Sequence, residues 1–517
     1  MTRVKKSAVN PPLRLAVIDI GSSSVRMDIV EVTPLGKMTT LDSLTQAVTL
    51  GKDTFTRGYI KNSTLEECIK ALVSFKKILR EYQIEPINVK TVASSALREA
   101  ENRDASLDRI TMATGFQVQV LDESEINRYV FLSVHPALNT APINTFQQII
   151  ITETGAGNTT LLHLNNGLIS FSYNYRQGAI RLRKMCEGLN AESKKMYDII
   201  NNTILRTIEQ IWTADSAPKN CAVVLQGGDA RFAASYCSPK WDKHSTIKIP
   251  VESLKHLTDT IMNMSVDTVV STFSLSYPDA ETLGPALLSY VNLARSLSVK
   301  HVFVVPVSMR DGIVEEMVMP TRWNKEFRDQ LLHCAFEIAK KYETEISHVT
   351  HVCKLAQKLF TDLTPLHQLS SRYELILSAA AVLHDVGLFI SNRSHHHHSM
   401  YIILNCNLFG LGAKEVMLVA LTARYHRRAM PNSSHDEYNS LDRESRVAVS
   451  KMAAILRIAD SLDRTHTHSI MPTDILVKHD RVILNIKKVP DLPVIKIAVR
   501  QKGDLFEKIF GVPIEIN

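Results

Sequence analysis

One local pattern occurs three times in this chain and limits what it can fold into: an apolar, β-favouring run that ends in a glycine turn. The first copy spans residues 13–26. Leu15-Ala16-Val17-Ile18 is long enough for one buried strand, and Asp19-Ile20-Gly21-Ser22-Ser23-Ser24 follows it. The second runs from 147–152 into Glu153-Thr154-Gly155-Ala156-Gly157-Asn158-Thr159-Thr160, with a strand resuming at 161–164. The third takes 222–225 into Gln226-Gly227-Gly228-Asp229. A glycine turn with hydroxyls can aim backbone N–H groups at one point, which suits a phosphate oxygen. Asp19, at its strand end, is placed to hold a cation or a water beside that phosphate. Three such turns in one chain predict two halves facing each other across a phosphate cleft.

The intervening sequence supports an α/β reading. Residues 27–32 and 38–48 alternate as strands, 63–82 has helical spacing, and 88–93 and 116–121 are strand-like. Strands alternating with helices, and chemistry at strand ends, describe an α/β domain. A chain of 517 residues is too long for one core. The expected layout is a disordered lead at 1–12, α/β domains at 13–135 and 136–320, a helical domain at 321–470, and a small α+β tail at 471–517. In that tail 475–477, 482–486 and 494–499 read as strands and 505–510 as a helix, capping the helical domain or forming a dimer surface. The hydrophobic share of 45% and charged share of 22% are those of an ordinary globular protein, and no apolar run reaches a membrane span. The seven cysteines are scattered without a CxxC pair, which fits reduced thiols and a cytoplasmic location. A net charge of +7 over this length suits an anionic substrate without singling out nucleic acid.

The combined motifs resemble the Ppx/GppA phosphatases of the actin-like superfamily, and the resemblance covers nearly the whole chain. The family's D-x-G-S-N-S loop is matched by Asp19 to Ser24, with Ser23 in place of Asn. Its A-x-x-x-L-R segment resembles Ala93-Ser94-Ser95-Ala96-Leu97-Arg98, its L-G-A-x-R-L segment resembles Gln177 to Leu182, and its core ends as Met309-Arg310-Asp311-Gly312 does. The resemblance implies an actin-like (ribonuclease H-like) two-domain core. It also implies release of terminal phosphate from inorganic polyphosphate or guanosine pentaphosphate (or tetraphosphate), with Mg²⁺ screening the charge, and a homodimer. Phosphate binding then falls to Asp19, Gly21, Ser22, Ser23, Ser24, Arg98, Gly155, Gly157, Asn158, Thr159, Gly227 and Gly228.

Several positions depart from the family pattern. In the second loop Glu153 replaces Asp, Ala156 replaces Gly, and Thr160 replaces a final Glu; Asp229 follows Gly228 where Thr is usual. The family's catalytic Glu stands two residues before an Arg matched by Arg128, so its position is Ile126, which accepts no proton. Glu125 is adjacent and is the expected substitute, with Glu153 as its catalytic partner; Glu123 is also close. Weak hydrolysis, raised by Ile126→Glu, is the expectation; the alternative is a phosphate-binding sensor that hydrolyses poorly, with the later helical domain either the metal-dependent phosphohydrolase or a structural module.

Residues 321–470 are helical by pattern and carry His348, the pair His384-Asp385, a run at His395–His398, His426-Arg427-Arg428, and Asp460. This resembles the HD metal-phosphohydrolase superfamily, whose mark is a distant His, a His-Asp pair and a final Asp. The resemblance implies metal ligation by His348, His384, Asp385 and Asp460, with His398 and His426 at a second ion. Imidazole with hard oxygen suits Mn²⁺, Fe²⁺, Zn²⁺ or Mg²⁺. Arg427 and Arg428 would lie near a substrate phosphate.

Overall fold

The structure is a computed structural model of the chain, and it describes residues 12–34, 36–187, 193–212, 217–319, 324–427, 429–487 and 490–517. The expected lead, apart from Pro12, and Arg428 lie outside these residues. The chain divides into two compact units, Met1–Gly167 with Ser172–Pro320, and Leu168–Phe171 with Thr321–Asn517.

The first unit is built on two mixed sheets with the same plan. In the first, β1 (Leu13–Ile20), β2 (Ser24–Val32), β3 (Met38–Ala47), β4 (Val89–Ala93) and β5 (Val118–Val120) lie in the order β3-β2-β1-β4-β5. The second holds β6 (Gln148–Thr154), β7 (Thr159–Asn165), β8 (Leu168–Tyr175), β9 (Cys221–Leu225), β10 (Ile247–Pro250) and β11 (His301–Val304), ordered β10-β11-β9-β6-β7-β8. In each, a strand pairs antiparallel with its hairpin partner (β1 with β2, β6 with β7) and parallel with a later strand (β4, β9). The apolar runs of β1 and β9 follow from this position. Helices cover both faces of the sheet, so Val17 and Ile18, or Val223 and Val224, are both buried although they point opposite ways.

The boundary expected at 135/136 falls inside the helix Glu123–Leu138. The helix Met309–Val318 also returns to the first sheet, packing Ile313 and Val314 with Leu15, Val17 and Tyr129. Gly312 permits this approach: a Cβ there would stand 2.0 Å from the Tyr129 carbonyl oxygen. The same two helices are tied by Arg128, whose guanidinium forks onto the Glu316 carboxylate, with Nη2 donating to Oε2 at 2.8 Å.

The second unit packs the helices Lys325–Lys341, Ile346–Asp362, Arg372–Leu383, His395–Asn405, Ala413–Arg424 and Arg443–Leu462. After them come β12 (Asp474–Val477), β13 (Val482–Asn485) and β14 (Ile514–Ile516), in that sheet order, with helices Leu492–Lys502 and Asp504–Phe510 before β14. The segment 494–499, expected as a strand, is helical. Ile495, Ala498 and Val499 are buried at helical spacing while Val494 and Ile497 face solvent, so the β-branched run hides a 3.6-residue period. The tail packs on the helical domain, as the capping expectation has it: Arg457 Nη1 donates to Asp504 Oδ1 at 2.9 Å and Lys502 contacts Asp460, with Arg457 and Asp460 both on helix Arg443–Leu462. All seven cysteines are free thiols, and no helix among the described residues is long and apolar enough to cross a membrane.

Candidate functional site

The three glycine turns of the first unit line one cavity of about 550 Å³. Asp19, Gly21, Ser22, Ser23, Ser24, Arg98, Glu153, Gly155, Gly157, Asn158, Gly227 and Gly228 all face it. The first two turns close in the same way: Gly21 N–H donates to the Ser24 carbonyl at 3.0 Å, and Gly155 N–H to the Asn158 carbonyl at 2.9 Å. Gly157 brings the second turn hard against the other half; a Cβ there would meet Ser95 Oγ at 2.4 Å and the Phe55 ring at 2.5 Å.

Positive and negative groups alternate around the cavity. Arg310, from the helix Met309–Val318, contacts Asp28 and stands 3.8 Å from Asp19 Oδ2. Arg26, Arg231 and Arg98 also line the space. Arg98 is held by its Nη1 donating to the Leu121 carbonyl at 2.9 Å; its Nη2 donates to the Asn158 side-chain oxygen at 3.1 Å, while the Asn158 nitrogen donates to Gly157 carbonyl at 2.8 Å. Burial pushes the Asp19 and Glu153 carboxyls above their usual range, although Arg310 and Arg231 respectively oppose the shift. Burial, reinforced by Asp279, pushes Asp229 up to about 7. Asp19 Oδ1 is buried without a hydrogen-bond partner. Buried carboxylates clustered beside glycine turns are the donor set a hard divalent cation takes.

Two expected residues of this site point elsewhere. Glu125 closes a capping box: its Oε2 accepts from Asp122 N–H at 3.0 Å, its own N–H donates to Asp122 Oδ1 at 2.9 Å, and Oε1 accepts from Gln119 at 2.8 Å. Its carboxylate is thus spent on the helix start and does not line the cavity. Thr159 donates to the Gln177 carbonyl at 2.9 Å and borders a separate small apolar pocket; strand alternation hands the cavity side to Thr160. Ile126 does line the cavity.

In the second unit four imidazoles converge on two carboxylates. His348 Nε2 and His384 Nε2 lie 3.6 and 3.8 Å from Asp460 Oδ1, and His384 Nε2 lies 3.5 Å from Asp385 Oδ2. His395 Nε2 and His426 Nε2 lie 3.4 and 3.7 Å from Asp385 Oδ1. Each ring is fixed from behind through Nδ1. His384 is held by the Ala381 carbonyl at 2.8 Å, His426 by the Ala423 carbonyl at 2.6 Å, His395 by the Asn392 carbonyl at 3.3 Å, and His348 by Asp463 Oδ2 at 2.8 Å. A carbonyl only accepts, so the Nδ1 atoms of His384, His395 and His426 carry the proton and their Nε2 lone pairs face inward, as metal-ligating histidines are held. His384 Nε2 is buried and unpartnered, and the groups His348–His384–Asp460 and Asp385–His395–His426 each have ligand atoms within 4.8 Å of one another.

His398, expected at the second ion, is not in either group; His395 is. The helix starts at His395, and three residues further on is nearly one turn, ~4.5 Å along the axis. Nothing in a run of four histidines marks which one faces inward. Asp463 and Lys502 are the other residues that sequence reasoning missed. Burial lowers the pKa of His348, but hydrogen bonds to Asp460 and Asp463 more than offset this and lift it to about 9. Burial and the neighbouring His384 push His426 down to about 3. Burial works against ionised Asp460, yet Lys502 and the histidines hold it well below the usual range.

The Ppx/GppA phosphatase family model matches residues 28–320, and the model for Ppx/GppA phosphatase domain III matches 333–492. A guanosine-5'-triphosphate,3'-diphosphate pyrophosphatase of Pseudoalteromonas atlantica is 22% identical over 476 residues, covering 90% of this chain and 89% of that protein. Among solved structures, the Aquifex aeolicus Ppx/GppA family member aligns with a TM-score of 0.51 at 20% identity, over 61% of this chain and all (100%) of that one. An exopolyphosphatase from Cytophaga hutchinsonii aligns with a TM-score of 0.52 at 18% identity, over 59% of this chain and 98% of that one. At these identities the structural likenesses speak for the fold.

Proposed function

Since the chain belongs to the Ppx/GppA phosphatase family, we propose that its first unit is a phosphoanhydride hydrolase releasing terminal phosphate from inorganic polyphosphate or guanosine pentaphosphate. The observation that carries this is the convergence of three glycine turns and Arg98 on one cavity. The turn amides and Arg98 bind the terminal phosphate and orient its bridging bond, and preorganised donors of this kind stabilise charge as it develops. Asp19 and Glu153 would hold Mg²⁺, which screens the phosphate charge when bound. Arg310 keeps Asp19 in place, and the Ser22–Ser95 hydroxyl contact at 3.3 Å ties the first loop to the start of the helix Ser95–Glu99.

The histidine cluster supports a second reading, a metal-dependent phosphohydrolase of the HD type in the second unit. The orphaned His384 Nε2 and the two facing ligand groups favour it. His348, His384, Asp385, His395, His426 and Asp460 would hold one or two divalent ions, which would supply Lewis-acid activation of a phosphoester. Arg427, half-buried and next to His426 in the chain, would meet a substrate anion in this reading.

Phosphate release from both substrates by the intact chain, Arg98→Ala and Asp385→Asn separates the readings. Loss in Arg98→Ala alone supports the cleft; loss in Asp385→Asn alone moves the chemistry to the histidine cluster.

A further inference from the structure

The two ligand groups of the histidine cluster are not balanced alike. Among the described residues, the ionic contacts of Asp385 are with imidazoles alone: His384 on Oδ2 at 3.5 Å, and His395 and His426 on Oδ1 at 3.4 and 3.7 Å. These three rings spend their Nδ1 protons on main-chain carbonyls, so each turns a neutral lone pair to the carboxylate. Asp460 is different. Its Oδ2 accepts from Nζ of Lys502, the last residue of the helix Leu492–Lys502, while its Oδ1 faces His348 and His384 at 3.6 and 3.8 Å.

The rest of the Asp460 side is closed as well. His348 lies between two carboxylates, with Nδ1 2.8 Å from Asp463 Oδ2 and Nε2 3.6 Å from Asp460 Oδ1. Asp463 is buried and both its oxygens are filled: Oδ1 accepts from the His468 backbone N–H at 2.9 Å, and Oδ2 also meets His468 Nδ1 at 2.8 Å. Lys502 is held from its own side. Ile495, Ala498 and Val499 bury the inner face of its helix, and two residues further on Asp504 accepts from Arg457, on the helix that carries Asp460. Packing of the tail thus delivers the ammonium to Asp460.

We infer that Lys502 is a built-in cation that fills the Asp460 half of the cluster and leaves one divalent-ion site, at Asp385, His395 and His426; this rests on the metal reading of the cluster. A divalent ion on Asp460 Oδ1 would share one carboxylate with an ammonium. The Asp460 and Lys502 side chains are 13% and 20% exposed, so water screens that repulsion weakly. At Asp385 a cation instead relieves a repulsion, because the His395 and His426 Nε2 lone pairs face each other at 3.3 Å. His384 Nε2, buried and unpartnered at the junction of the two halves, supplies a further nitrogen. A site this rich in imidazole suits a transition ion such as Co²⁺ or Zn²⁺.

The test counts ions on the full chain, stripped with a chelator and carrying Asp19→Asn and Glu153→Gln so that the cleft takes none. Co²⁺ is added by equilibrium dialysis and bound metal is read by elemental analysis. This parent is expected to hold one tight Co²⁺ per chain. Asp385→Asn should weaken that ion by more than the roughly tenfold that loss of a partner behind a ligand costs, and Asp460→Asn should leave it in place. Lys502→Met and Lys502→Gln should each take up a second ion, which Asp460→Asn removes again, while Lys502→Arg holds one. Two tight ions in the parent overturn the inference. So does a single ion in both neutral variants, with folding checked by circular dichroism, or a parent ion that is lost in Asp460→Asn and kept in Asp385→Asn. No Co²⁺ in the parent or in any Lys502 variant takes down the metal reading itself, and the lysine's role with it.

Discussion

His395 Nε2 and His426 Nε2 stand 3.3 Å apart, each with its Nδ1 turned to a main-chain carbonyl. Two lone pairs at that distance repel unless a cation lies with them, and Asp385 closes the third side. The intact chain is therefore expected to bind a divalent transition metal. Elemental analysis after purification should show metal that falls in His395→Ala and His426→Ala and persists in His398→Ala. Equal loss in all three variants would count against the ligand set.

Gly157 presses against Ser95 and Phe55, so Gly157→Ala must push one of them aside. Overpacking of this kind costs about 1–3 kcal/mol. Chemical denaturation should show that loss, and phosphate-analogue binding should weaken because the second turn is displaced from the cavity.

Arg128 and Glu316 form a pair that is nearly closed to solvent, with side chains 3% and 12% exposed. Removing a partner of a buried pair costs about 3–5 kcal/mol when the other charge is left unpaired; Lys90, 3.6 Å from Glu316 Oε2, keeps Glu316 partly paired, so Arg128→Ala falls below that range. Arg128→Ala should lower the unfolding free energy measured by chemical denaturation, and Arg128→Ala with Glu316→Ala should be less damaged than the sum of the single changes.

Asp229 is half-buried, and burial with Asp279 nearby raises it to about 7. An acid raised on folding contributes stability that is fully present below its unfolded value, about 3.9, and is lost as pH rises through about 7. Asp229→Asn, neutral throughout, should therefore melt higher than the parent at pH 8 in metal-free buffer, with the advantage gone by pH 4. A difference independent of pH would rule out the charge as its cause.

The cleft and the histidine cluster were legible in the sequence to different depths. Glycine turns at strand ends are set by local chemistry: strand propensity, φ freedom and hydroxyl placement all act within a few residues. Asp19, Gly21, Glu153 and Gly227 could thus be singled out, and the duplicated strand–turn pattern carried the α/β expectation. His348, His384, Asp385 and Asp460 could be picked by their order along the chain, although nothing local brings them together. The choices that failed were orientations. Glu125 and Glu123 differ by two residues, yet helix rotation gives one to a capping box and sets the other beside Arg98. Thr159 and Thr160 were divided by strand alternation, and His395 and His398 by where their helix begins. The partners that hold these groups in place — Glu316 on Arg128, Asp463 on His348, Lys502 on Asp460 — come from 188, 115 and 42 residues away. Only the folded chain brings such groups together. Residue type fixed which chemistry was available here, while packing across the fold decided which atoms share a site.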